Sequence, residues 1–414
     1  MSRLGPLRER EFRLLFTGRA VSQLGSGVAP VALAFAVLDL TGSTADLGIV
    51  LAVRQVAVVV LLLYGGVWAD RLPRHLVMVC SNVASGLSQA AVAVLLLSHH
   101  ASIPSLAVFA ALNGASSAFF FPASTGIVPQ TVPASLLQQA NAMLRLGQTA
   151  TSTGGAALGG ILVAASSPGW AIAADAISYG VAATMLAAMR VRPLERAEAT
   201  TVFHDLRVGW HDFWSRRWLW TIVIQFGVVN AVYTGTLFVL GPAVAKRHLG
   251  GPAAWAAVLV AIQAGVIASG IVLLRWKPRR ILRTATFGAF GLAVPLLALA
   301  RPEPLVVVVV AAFASGYLVE IFGVLWVTTY QQEIPHDKLS RLSAYDAIGS
   351  WALMPVGYAV AGPVGSAVGT RASFVGGAVI VVVATALVFL CRDVRVLERR
   401  TQTAELRLAE DVSA

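Results

Sequence analysis

Polar residues in this chain come in short clusters, and the stretches between them are almost wholly apolar. Residues 47–68 and 76–97 are two such stretches, separated by a charged turn that holds Asp70, Arg71, Arg74 and His75. A helix of about 20 apolar residues rises about 30 Å, the thickness of a bilayer's hydrocarbon core. The turn therefore reads as a tight loop on one membrane face. The same alternation predicts twelve spans, roughly at 14–38, 45–69, 74–98, 104–128, 137–166, 169–190, 218–242, 252–275, 281–300, 304–332, 342–370 and 372–391. Several are longer than a bilayer requires, which implies tilt or a bend. Pro122, Pro242, Pro295 and Pro355 are the candidate kinks. Small-residue runs such as 154–160 let helix backbones approach closely in lipid.

Composition agrees. The chain is 57% hydrophobic and 12% charged, with a mean hydropathy of +0.75. Soluble domains are about 25% charged, so a large soluble helical protein is excluded. The net charge of +11 sits in loops without interleaved aromatic residues. It reads as topology and contact with anionic lipid, and no nucleic-acid partner is expected. Twenty-four Lys and Arg fall on one side of the predicted spans, against Lys246, Arg247, Arg301 and Arg371 on the other. That asymmetry predicts a multi-pass protein of the cell membrane with both termini cytoplasmic. The apolar run after Arg3, Arg8 and Arg10 is too long for a signal peptide, so the first span is expected to stay. Cys80 and Cys391 offer neither a disulfide framework nor a metal spacing.

One polar stretch stands out, from 191 to 217. Phe203, Leu206, Trp210, Phe213 and Trp214 recur on one helical face within it, which predicts an amphipathic helix at the interface joining two halves. His204 and His211 on that helix read as solvated, not as a metal pair. The halves repeat. Gln130, Pro133 and Asn141 correspond to Gln332, Pro335 and Ser343 at a shift of 202 residues, and Gly147 to Gly349. The expected organisation is an N-terminal six-helix bundle (1–190), a cytoplasmic linker (191–217), a C-terminal six-helix bundle (218–391) and a cytoplasmic tail (392–414). No phosphate-binding loop, metalloprotease helix, nucleophile elbow or dinucleotide fingerprint occurs. Neither an enzyme nor a self-powered ATPase is expected, and no catalytic residue, cofactor or metal site is assigned.

At this point the sequence resembles the major facilitator superfamily over nearly its whole length. The most specific mark is the turn between spans two and three, where Gly66, Asp70, Arg71 and Arg74 match that family's motif; Pro73 and His75 depart from it. The second-half counterpart is degenerate, with Leu274 where Asp would stand. The fold implied is all-α, with twelve transmembrane helices in two six-helix bundles. The resemblance also implies a cytoplasmic gate. Gly66 would let span two approach span eleven, Asp70 would face the start of that span, and Arg71 or Arg74 would pair with Asp346. Within the family the chain looks most like twelve-span drug–proton antiporters, the macrolide and siderophore exporters among them. Phe12 to Gly25, Phe121-Pro122-Ala123, Asn141-Ala142 and Asp175 to Tyr179 carry that likeness. The span-five antiporter mark is incomplete, because Ala156 stands in the Pro position.

Charges within spans are expensive and usually face a cavity or a partner. Glu320, near the middle of span ten, is the candidate proton site, because a desolvated carboxylate can take up and release a proton. Its alternative is a permanent pair with an Arg. Arg54 is the candidate counter-charge. Asn113, Asn230, Tyr233 and Tyr317 are candidates for lining a central cavity, with helix packing as the alternative for each. Asp175 is expected at the periphery, bonded to backbone or Ser. The expected function is proton-coupled efflux of a bulky amphipathic compound such as a drug, antibiotic or siderophore, by a monomer whose partners are a small-molecule substrate, protons and the lipid bilayer. The alternatives are an importer of a small metabolite and a non-transporting membrane sensor.

Overall fold

The computed structural model describes residues 5–191, 210–301, 304–335 and 338–398, and for 63–71, 339–341 and 344 it describes the backbone alone. The side chains of Gly66, Asp70 and Arg71, most of the linker with His204, and the tail beyond 398 lie outside the described residues. Twelve long helical segments run through the rest. They are α1 (Arg10–Leu40), α2 (Thr44–Arg71), α3 (Arg74–Leu97), α4 (Ile103–Gly126), α5 (Leu137–Ala165) and α6 (Pro168–Ala187). Then follow α7 (Arg217–Leu249), α8 (Pro252–Leu273), α9 (Ile281–Leu299) and α10 (Leu305–Glu333). The eleventh, α11, is Leu339–Trp351 continued by Met354–Val368, and α12 is Thr370–Val388. Among the described residues, eleven helices are long and apolar enough to cross a membrane. The remaining one, α5, has 29 residues but carries Gln138, Gln139, Asn141, Arg145 and Gln148 in its first half. Gln138, Asn141, Arg145 and Gln148 are exposed, and the helix packs against α1 and α8.

Three of the four candidate prolines coincide with a local adjustment of the helix, since proline lacks the N–H that an α-helix needs. Pro122 sits within α4. In α7, π-helical turns at Thr236–Leu240 and Ala245–Leu249 flank Pro242. A 3-10 turn at Phe290–Leu292 precedes Pro295 in α9. In α11 the break falls at residues 352–353, just before Pro355.

Packing repeats after six helices. In the first half α1 lies against α5 and α6, α2 against α4, and α3 against α4 and α6; in the second, α7 lies against α11 and α12, α8 against α10, and α9 against α10 and α12. Between the halves α5 meets α8 and α2 meets α11, each contact being the counterpart of the other. Glycines mark the equivalent crossings. A Cβ on Gly147 would lie 2.9 Å from the Phe16 ring and one on Gly349 2.3 Å from Val223. Likewise one on Gly155 would lie 2.3 Å from the Leu24 carbonyl and one on Gly357 1.9 Å from that of Ala231. Both glycine pairs stand 202 residues apart, the shift of the sequence repeat.

Leu87, Val108, Ile177, Ile271 and Val306 are each more than half exposed on the outside of the helices. An apolar surface of this extent is a lipid-facing one. Close approaches between the halves gather from mid-membrane toward the face opposite the start of α1. There Gly48 and Gly362 meet the backbone of Tyr358 and Ala45, and Lys246 Nζ pairs with Asp39 across the halves at 2.5 Å. Near mid-membrane Gln263 Nε2 donates to Ser152 Oγ at 3.0 Å. At the end of the linker, residues 210–214 are helical. Trp210 and Phe213 there pack against Tyr345 of α11, with ring centroids 5.9 and 5.6 Å away.

Candidate functional site

A cavity of about 190 Å³ opens where the two halves meet. Its polar wall belongs to the first half: Ser26, Arg54, Gln89, Asn113 and Tyr179. The second half contributes Phe238, Trp255 and Tyr358. Arg54, Asn113 and Tyr358 each stand about ten residues from the end of their helix, about 15 Å along it. The cavity therefore lies near the bilayer midplane.

A glycine positions its one guanidinium. A Cβ on Gly114 would fall 2.3 Å from the Arg54 carbonyl, so α2 and α4 touch backbone to backbone at this level. That contact sets Arg54 beside Asn113, and Arg54 Nε donates to Asn113 Oδ1 at 3.2 Å. A second glycine does the same for α1 and α6. A Cβ on Gly25 would meet Ser178 Oγ at 2.0 Å and Asp175 Oδ1 at 2.6 Å. Asp175 is fully buried and accepts from Gln89 Nε2 at 2.6 Å. One helical turn on, the Tyr179 hydroxyl meets Ser26 Oγ at 2.8 Å. Arg54 acts electrostatically on Asp175, Tyr179 and Tyr358 together. Residues of α4, α6 and α11 thus converge on the charge that α2 carries.

Glu320 lies apart from this cavity, in the middle of α10. It is half-buried and makes no hydrogen bond or ion pair among the described residues. The charge acting on it is Arg145, which α5 carries in the other half. A second intramembrane cation, Arg19, donates Nη1 to the Ser124 carbonyl at 3.3 Å, which ties α1 to α4.

The structure thus divides the sequence candidates. Arg54 and Asn113 line the cavity together. Asn230 instead donates Nδ2 to the Ser350 carbonyl at 3.0 Å, holding α7 to α11. Tyr233 is buried in the core, and Tyr317 packs against the aromatic and aliphatic cluster of the second half. Asp346 accepts from Trp326 Nε1 at 3.0 Å and Ser350 Oγ at 3.3 Å, inside its own half. Arg74 donates to the Gly126 carbonyl at the end of α4. In this conformation, then, Asp346 is not the partner of Arg74, because its position in α11 turns it toward α10. Asp175 does bond Ser178, as expected, but it also backs the cavity wall through Gln89. Gln89 escaped the sequence reading, which took up the amides Asn113 and Asn230 but passed over this one on α3.

Residues 15–353 match the model of the family described as Major Facilitator Superfamily. The chain is 28% identical over 391 residues to the multidrug efflux pump Tap of Mycolicibacterium fortuitum, covering 89% of this chain and 91% of that one. It is 26% identical over 368 residues to the enterobactin exporter EntS of Salmonella typhimurium, covering 86% and 87%. Among solved structures, a mutant of the nucleoside transporter NupG superposes with a TM-score of 0.77 at 11% identity, covering 92% of this chain and 99% of that one. A bacterial homologue of the human lysosomal transporter Spinster, inward-facing and unoccupied, gives 0.71 at 15% identity, covering 96% and 99%. At such identities the two solved structures share the fold.

Proposed function

This chain belongs to the Major Facilitator Superfamily, and from that premise we propose that it exports a bulky, partly apolar compound in exchange for protons. It is a membrane transporter and not an enzyme. The observation that carries the reading is the midplane cavity, where both halves meet around one guanidinium, a few amides and hydroxyls, and aromatic walls. Sites of that make-up suit amphipathic molecules. Likeness along most of the chain to two efflux proteins supports the outward direction. The bundles 1–190 and 218–391, joined by the linker 191–217 and followed by the tail 392–414, rock about this cavity to alternate access. The cytoplasm lies on the face where α1 begins, as the distribution of Lys and Arg directs. The protein acts as a monomer in the cell membrane.

Glu320 is the proton site in this scheme. Its charged neighbour, Arg145, stands on the opposite half, so rocking changes its surroundings, and a group that differs between two states couples a ligand to them. Gly66, Asp70, Arg71 and Arg74 form the cytoplasmic gate in the other conformation, and Asp346 joins them by exchanging its Trp326 contact. Asp70→Asn is expected to lower transport severalfold and to speed thiol labelling of cysteines placed in the inner cavity. Unchanged transport with unchanged labelling removes the gate.

The function itself is tested in inverted membrane vesicles with an acid interior. A panel of macrolides, hydrophobic dyes and siderophores is added while the pH gradient is followed by fluorescence. Compounds that are substrates should release protons from vesicles holding the transporter and not from empty ones. A silent panel, together with higher accumulation of a compound in intact expressing cells, would establish import instead.

A further inference from the structure

The midplane cavity has more hydrogen-bond donors than acceptors, and the imbalance specifies what fills it. A guanidinium has five N–H donors and no acceptor. Arg54 uses its Nε on Asn113 Oδ1, and no described residue accepts from its two Nη atoms. The same bond orients the Asn113 amide, oxygen toward Arg54 and Nδ2 away from it. Asn113 is only 6% exposed. The Tyr179 hydroxyl interacts with it, but no described acceptor meets its Nδ2 in hydrogen-bond geometry. Buried donors without partners are rare in folded proteins.

The carboxylate nearby, Asp175, is already engaged, and the other acceptors on the wall are neutral, the Gln89 amide oxygen and hydroxyls. Asp175 accepts from Gln89 at 2.6 Å through Oδ2, the Ser178 proton goes to the Asp175 backbone carbonyl at 2.7 Å, and Asp175 stands behind the cavity wall. Ser26 gives its proton to the Ser22 carbonyl, so it is Tyr179 that donates to Ser26. What the lining lacks is a charged acceptor, and beside an arginine an anionic oxygen is bound best. The remaining wall is aromatic, from Tyr179, Phe238, Trp255 and Tyr358. Its volume of about 190 Å³ suits one substituted benzene ring, since a cavity of roughly 150 Å³ takes up benzene, and the rest of a larger molecule would extend through the opening.

We infer that this cavity binds an anionic aryl headgroup, a benzoate or phenolate ring whose oxygens accept from Arg54 Nη and Asn113 Nδ2 while the ring lies among Tyr179, Phe238 and Trp255. Only the statement that this headgroup belongs to the exported compound rests on the efflux reading; binding needs neither a direction nor a proton. A cationic ring would leave both donors unmet and would set like charge against Arg54.

The test uses the purified full-length protein in nanodiscs and isothermal titration with three probes: 2-hydroxybenzoate, its neutral amide, and phenyltrimethylammonium. The acid should bind about tenfold or more tighter than the amide, the worth of one charge-assisted hydrogen bond, and the cation should not bind. Asn113→Asp keeps the oxygen that Arg54 donates to and replaces the orphan N–H with a negative charge; it should erase the preference for the acid. Arg54→Gln should do the same. The three-probe comparison on the unaltered protein stands whether or not a variant folds. Equal binding of acid and amide, tighter binding of the cation, binding of none, or an intact preference in folded Asn113→Asp would each overturn the assignment. Acid-selective binding in a protein that fails the vesicle assay removes the efflux reading and leaves the site. Efflux without acid selectivity removes the site alone.

Discussion

Gly316→Val is expected to destabilise the transporter strongly, lowering its melting temperature and its yield of folded monomer. A Cβ at this position would lie 1.9 Å from the Ile262 carbonyl, and one at Gly265 would lie 2.1 Å from that of Phe313. The two glycines face each other's helices, so α8 and α10 touch backbone to backbone. A carbonyl in a helix cannot swing aside as a side-chain tip can. The helices must separate, and contact is lost along the whole crossing, where lipid offers no hydrophobic drive to restore it. Overpacking of a tight core costs about 1–3 kcal/mol, occasionally more, and native proteins hold only about 5–15 kcal/mol in reserve. The control is Gly270→Ala in the same α8, where an added Cβ meets nothing within 4 Å and a better helix former replaces a poorer one. Fluorescence-detected gel filtration and thermal melts in detergent read both. A Gly316→Val monomer peak and melting temperature equal to wild type would mean that the crossing is looser than drawn.

Glu320→Gln is the second large effect, and it should separate coupling from binding. The substitution keeps the shape of the side chain and removes its charge. Glu320 has no hydrogen-bond partner to lose among the described residues, so stability should change little. Export driven by a pH gradient should fall to the level of empty vesicles. Exchange of labelled for unlabelled substrate without a gradient should persist, because the cavity lies elsewhere and retains Arg54, Asn113 and its aromatic wall. The charge that acts on Glu320 crosses from α5, so a proton and Arg145 are alternative ways to tolerate a carboxylate at this depth. Gradient-driven export at wild-type rate in the variant would transfer the coupling to another buried carboxylate, Asp175 first.

The glycines and the charges behaved differently as sequence signals. Gly147 and Gly349 were recognisable as counterparts because they hold a fixed place in a repeat, and the structure puts both at equivalent crossings. The polar candidates had no such register. Asn230 and Asn113 look alike as single amides in apolar spans, yet one ties α7 to Ser350 and the other keeps an unpaired N–H beside the cavity. Asp346 was expected to pair with Arg71 or Arg74; here it accepts from Trp326, while the Arg71 side chain lies outside the described residues.

The chain's local pattern alone determined the spans, their small-residue seams, the half-to-half repeat and the family resemblance. Each depends on composition over a helix length, and hydrophobic thickness reads that length directly. Tertiary structure decided which way each helix turns. A span that is apolar all round carries no amphipathic stripe to fix its rotation, and successive residues on a helix point about 100° apart. Facing is therefore set by the neighbour, through contacts such as Gly114 on the Arg54 carbonyl and Gly25 on Asp175. Those contacts, which no single span encodes, brought Arg54, Asn113, Gln89 and Tyr179 into one cavity and placed Glu320 opposite Arg145.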